Sequence, residues 1–125
     1  MLSSKLACRV AGIDRDRFNE AICTGQYLCA PRVVRGGTRR FNREDTIALC
    51  VYGHLIRNQT GREVAGKIAN CVRSRLQTEP ELKRISVHIS DAHIKETEPL
   101  VTQIFNIGAF ALRYELAIKG ELCWP

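Results

Sequence analysis

Apolar positions in the first half of the chain recur at helical spacing and break off at glycines. Leu6 and Val10 stand one turn apart between Ser3 or Ser4, either of which can cap a helix, and Gly12, which can end it. Asp14 opens a second helix to about Thr24, with Phe18 and Ile22 one turn apart on its inner side and Gly25 as terminator. Two short helices about Gly12-Ile13 predict a helix-turn-helix. From Tyr27 to Phe41 the pattern changes. Pro31, Val33 and Val34 precede Gly36-Gly37-Thr38 and then Arg39-Arg40-Phe41, which predicts two short strands around a glycine turn.

The next periodic segments are longer. Asn42 with Asp45 three residues on is a variant capping box, and Ile47, Val51 and Leu55 repeat every four positions beside Leu49, Tyr52 and Ile56. Thr60-Gly61-Arg62-Glu63 reads as a full capping box for a fourth helix, with Val64, Ile68, Val72 and Leu76 as its core stripe and Thr78-Glu79-Pro80 as its stop. Ile85, Val87 and Ile89 alternate with Ser86, His88 and Ser90, the mark of a strand with one buried face. Thr97-Glu98-Pro99, followed by Leu100, Val101, Ile104 and Phe105, predicts a helix start. The alternation of Leu112, Tyr114, Leu116 and Ile118 predicts a strand after it, a single helix running to Lys119 being the alternative. The expected fold class is α+β, mainly helical: a winged helix-turn-helix over residues 1–77 and a small C-terminal α/β appendage over 78–125.

A chain of 125 residues, 45% hydrophobic, can bury one moderate core, which excludes large multidomain enzymes. No stretch approaches the roughly 20 apolar residues that span a bilayer, and no secretory signal is read, so a cytoplasmic, nucleoid-associated protein is expected. Charge sharpens the expectation. Residues 1–77 carry 14 Lys and Arg against 6 Asp and Glu, and 12 of those 14 are arginine; residues 78–125 carry 5 against 7. Arginine's planar donor fork matches phosphate oxygens and guanine edges, so double-stranded DNA is the expected partner.

Cysteines stand at 8, 23, 29, 50, 71 and 123. Cys50 and Cys71 are expected on apolar helix faces, packed as reduced thiols. Cys23 and Cys29 are six apart, too far for the close pair of a structural zinc knuckle, so no metal or other cofactor is expected. Cys123 is a candidate redox thiol. His54, His88 and His93 fall on three elements with neither a carboxylate pair nor a serine elbow, and no enzymatic activity is expected.

The run Gly37-Thr38-Arg39-Arg40-Phe41-Asn42-Arg43-Glu44-Asp45 resembles the wing and following helix of the MerR family of transcriptional regulators. Members carry a Gly-Tyr-Arg-Arg-Tyr type wing followed by a Glu-Asp helix start. With the Ala11-Gly12-Ile13 turn and Gly25 at matching spacing, the resemblance covers roughly residues 3–77. It implies a wing that straddles phosphates through Arg39 and Arg40, with Arg35 alongside, and a second helix in the major groove. A direct reading adds Arg32, Thr38 and Arg43 on or beside the hairpin, and Arg15, Arg17 and Asn19 as outward candidates on helix two.

Two departures limit what the resemblance implies. Where members place an arginine and an aromatic pair on the second helix, this chain has Asp16, Asn19, Glu20 and Ala21, so a different sequence preference is expected. Where members continue into a long dimerisation helix, this chain has Pro80 and an expected strand, so metal or drug sensing is not carried over. The expected function is a bacterial or phage transcriptional regulator that binds specific DNA as a homodimer, with residues 81–125 supplying self-association or a protein-partner surface. The alternatives are an architectural factor of a phage or mobile element, of the excisionase or packaging-subunit type, and an adaptor whose basic face meets an acidic protein.

Overall fold

The computed structural model describes residues 1–34, 36–89 and 101–120. Arg35, Ser90, His93, the Thr97–Leu100 helix start and Cys123 lie outside the described residues. The protein is mainly helical, with small antiparallel sheets: α+β.

Local rules account for the first elements. After a two-residue strand, β1 (Leu2–Ser3), helix α1 (Ser4–Ala11) is capped by Ser3, whose Oγ accepts the Leu6 N–H at 3.3 Å. Gly12 adopts the left-handed conformation (φ 70°), and the Ile13 and Gly12 N–H groups satisfy the Cys8 and Arg9 carbonyls at 3.0 and 3.1 Å. Asp14 then caps α2 (Arg15–Cys23) through the Arg17 N–H at 3.2 Å. A second glycine-terminated end lies at Gly25, where Gln26 N–H reaches the Ala21 carbonyl at 2.9 Å.

Aromatic packing joins this helix pair to the hairpin and to the third helix. Tyr27 meets Phe18 of α2 edge to face at 5.0 Å and Tyr52 at 4.9 Å, while Phe18 lies 6.0 Å from Phe41. Strands β2 (Val33–Val34) and β3 (Thr38–Phe41) form the expected hairpin, and β3 also pairs with β1, giving the sheet order β1-β3-β2. Strand β1 has no counterpart in the hydrophobic pattern, because two residues are too few to display a period.

Asn42 and Asp45 form the capping box of α3 (Arg43–Arg57): Asn42 Oδ1 accepts the Asp45 N–H at 2.8 Å and Asp45 Oδ2 accepts the Asn42 N–H at 3.1 Å. The other Asp45 oxygen accepts Arg73 Nε of α4 (Arg62–Thr78) at 2.6 Å. The Asp45 carboxylate holds the Arg73 guanidinium above its usual pKa. Every residue from Asp45 to Gly53 is buried. Helix α4 packs so closely on the connection after α2 that a Cβ on Gly66 would stand 1.7 Å from the Gln26 carbonyl oxygen.

Three expectations need correction. The Thr60 capping box does not form: Gly61 takes the N-cap position with no side-chain bond. Thr60 belongs to the turn that closes α3, its N–H bound to the Leu55 carbonyl at 2.9 Å, and Glu63 pairs instead with Lys67. Cys71 is exposed, since it sits one residue, about 100°, off the buried Ile68-Val72-Leu76 stripe. Finally, over Val101–Lys119 the order is a strand followed by a helix, not the expected helix followed by a strand.

Strand β4 (Arg84–Ile89) pairs antiparallel with β5 (Val101–Asn106), setting buried Ile85 opposite buried Phe105. Asn106 then caps α5 (Ile107–Lys119) through the Ala109 N–H at 3.1 Å. The apparent alternation of residues 112–118 misleads because α5 buries Ile107, Ala111 and Ala117, with Phe110 and Tyr114 half-buried beside them, at helical spacing; Leu112 and Ile118 are exposed. Helix α5 packs on α3 and α1, so the segments on either side of residue 77 share one core.

Unfolding measurements test this packing. Arg73→Leu leaves the Asp45 carboxylate buried without its partner and should cost about 3–5 kcal/mol in urea unfolding. Ile107→Ala should cost about 2–5 kcal/mol and shift the midpoint of the whole helical circular-dichroism signal. Loss of a minor part of the signal alone would mean that α5 unfolds independently of α3.

Candidate nucleic-acid interface

The hairpin owes its shape to Gly36 and Gly37, both at positive φ (95° and 77°), with the Gly37 N–H closing onto the Val34 carbonyl at 3.0 Å. Cross-strand register pairs Val34 with Thr38, Val33 with Arg39, Ser3 with Arg40 and Leu2 with Phe41. Paired residues share a face of the sheet and alternate residues share a face along a strand. Arg39 therefore lies on the side of the core residues Leu2 and Phe41, and Arg40 on the solvent side with Thr38 and Ser3.

The basic side chains divide accordingly. Arg39 is half-buried and its guanidinium donates to the Pro31 carbonyl. Arg43 donates to the Pro80 carbonyl at 3.0 Å and lies 3.7 Å from Glu44. Arg57 donates to the carbonyls of Ala11 and Gly12 at 2.8 and 3.0 Å, a cation on the C-terminal end of α1. Arg62 pairs with Glu20 at 3.5 Å. In contrast, Arg15, Arg17, Arg32 and Arg40 are exposed and form no salt bridge among the described residues. Thr38 and Asn19 are exposed as well. Of the residues singled out from the sequence, the structure thus leaves Arg32, Thr38 and Arg40 open on the hairpin, commits Arg39 and Arg43 to backbone carbonyls, and does not describe Arg35.

Helix α2 is mixed in charge. With Phe18 and Ala21 buried, a rotation of about 100° per residue sets Asp16 and Glu20 on the opposite, outward ridge, with Arg15 and Asn19 on one flank and Arg17 on the other. Sequence reading overlooked Lys5 and Arg9, which are exposed on α1. Their four-residue spacing opposite Ala7, Val10 and Ala11 was the available signal.

Other candidate chemistry is sparse. Burial pushes the Cys8 thiol up to about 11 and the Cys50 thiol to about 12, and raises Cys29, whereas Cys23 and Cys71 are exposed. Burial also raises Tyr27 well above the usual phenol range. His54 packs edge to face on Phe105 at 5.7 Å, with Gln103 Nε2 3.5 Å from its Nε2, at the seam between α3 and β5. Among the described residues no group of three or more His, Cys, Asp or Glu side chains is placed to hold a metal, and no helix is long and apolar enough to cross a membrane. No family model, no curated protein and no solved structure matches the chain.

The thiols give a direct check on this geometry. Brief iodoacetamide treatment of the folded protein near pH 8 should alkylate Cys23 and Cys71 and spare Cys8 and Cys50, as read by peptide mass spectrometry. All four should react once the chain is unfolded.

Proposed function

We propose that this protein binds double-stranded DNA as a winged helix-turn-helix, with α1 and α2 as the helix pair and the β2–β3 hairpin as the wing. The observation that carries this reading is that, among the described residues, exposed arginines without a salt bridge cluster on α2 (Arg15 and Arg17) and on the hairpin region (Arg32 and Arg40), while Arg75, Arg84 and Arg113 lie singly on α4, β4 and α5. An exposed guanidinium left without a carboxylate is available to phosphate oxygens, and the excess of positive charge over residues 1–77 attracts a polyanion at long range. Lys5 and Arg9 extend the set of available cations onto α1. In this reading Arg32 and Arg40 hold the backbone, and the flanks of α2, with Arg15, Arg17 and Asn19, reach phosphates or base edges. Control of transcription from the bound site is the proposed outcome.

A homodimer belongs to the same proposal, because one such unit touches few base pairs and a two-fold pair doubles its contacts. Exposed Ile104, Leu112 and Ile118 on the β5–α5 segment support self-association there. A second reading, an architectural DNA factor, is favoured by the outward ridge of Asp16 and Glu20. Carboxylates facing the duplex disfavour close base readout and leave phosphate contacts to dominate. Selection from random DNA separates the two: a regulator enriches a defined site, an architectural factor enriches little or none.

DNA binding itself is tested by affinity for a mixed-sequence duplex over a salt series. Log affinity should fall linearly with log salt, and Arg32→Ala with Arg40→Ala should weaken binding to every sequence and reduce the slope by roughly two phosphate contacts, about 0.9 each. Absence of binding at low salt would refute the proposal.

A further inference from the structure

Neighbouring arginines of β3 are put to different uses. Arg40 is exposed on the solvent side and forms no salt bridge among the described residues, whereas Arg39 points to the core side and binds the Pro31 carbonyl, eight residues earlier. Pro31 lies outside the two-residue strand β2, in the connection that leaves the Tyr27 aromatic cluster. The β2–β3 ladder has only two residue pairs, too few to hold a hairpin firmly. Among the described residues, the Arg39 bond is the side-chain hydrogen bond that ties β3 to this connection.

The position of that tie matters. Arg32 follows Pro31 directly in the chain, and Arg40 follows Arg39. A bond from Arg39 to the Pro31 carbonyl therefore sets the backbone bases of Arg32 and Arg40, the exposed cations of the hairpin region among the described residues, at a defined separation. Resting on the DNA-binding reading above, we infer that Arg39 is a positioning residue: its hydrogen bond holds Arg32 and Arg40 in register with one phosphate backbone, and its own charge makes no phosphate contact. Arg32 and Arg40 are ordered before DNA arrives, so binding does not have to immobilise the hairpin.

Three variants separate hydrogen bond from charge: Arg39→Ala, Arg39→Gln and Arg40→Ala, each titrated with the same mixed-sequence duplex over a salt series. Arg40→Ala should flatten the log–log slope by about 0.9, the signature of one lost phosphate contact. Arg39→Ala should weaken binding about tenfold, the worth of one hydrogen bond from a charged donor, along a line parallel to the wild type. Arg39→Gln, neutral and with an amide donor two bonds shorter in reach, should weaken binding no more than Arg39→Ala and leave the slope intact.

Hydrogen exchange provides an arm that needs no DNA. The Gly37 amide, bound to the Val34 carbonyl, should exchange faster in Arg39→Ala than in Arg40→Ala or the wild type. A slope flattened by Arg39→Gln as much as by Arg40→Ala would make Arg39 a charge contact and overturn the inference. Unchanged Gly37 exchange in Arg39→Ala would overturn it too. If Arg39→Ala fails to fold, Arg39→Gln decides alone through its slope. If the wild type binds no duplex, the DNA-binding reading falls and the phosphate part of the inference with it, while the exchange arm still judges the tie to Pro31.

Discussion

Helix α3 has no solvent face through its middle. Nine consecutive residues, Asp45 to Gly53, are buried, and a helix apolar all round is stable only when other elements surround it. Most of the architecture follows from this requirement. Helix α4 covers one side, α1 and the aromatic cluster of Phe18, Tyr27 and Tyr52 another, and α5 a third. The β4–β5 hairpin closes over the far end through Phe105 on His54. Helix α5 packs on both α3 and α1, so the C-terminal helix belongs to the core that positions the helix pair and hairpin.

Polar interactions orient what the apolar packing gathers. Asp45 serves three ends at once: it caps α3, receives the chain leaving β3 at Asn42, and binds Arg73 of α4. Arg57 ties the end of α3 to the end of α1, and Arg43 ties the start of α3 to the turn after α4. Three arginines of this basic segment are thereby spent on joining helices, in addition to Arg39 within the hairpin. The charge that remains available within the basic segment is smaller than composition implies, and its cluster on the helix pair and hairpin gives the surface its proposed character.

Local sequence informs some of these features and not others. The Gly37–Asp45 run places a hairpin and a capped helix correctly, because both depend on residues within a few positions of one another. As sequence, Arg39 and Arg40 read alike. Their opposite roles arise from the pairing of β3 with β2 and β1, which directs alternate side chains to opposite faces.

What the sequence determined by itself is local and periodic. Ser3, Asp14 and Asn42 cap their helices, Gly12, Gly25 and the Gly36-Gly37 pair take left-handed backbone, and Ile85 alternates onto the buried side of its strand, because each of these depends on hydrogen bonds or sterics spanning a few residues. The wide apolar circumference of α3 was legible too, though not the identity of what covers it. Tertiary structure alone decided that β1 joins the hairpin, that Thr60 closes α3 and does not open α4, that α5 is a helix against α3, and which described arginines bind a carbonyl or carboxylate. Each is a choice among partners distant in sequence, settled by burial and by which carbonyl or carboxylate comes within hydrogen-bond reach, and no periodicity in a single segment records it.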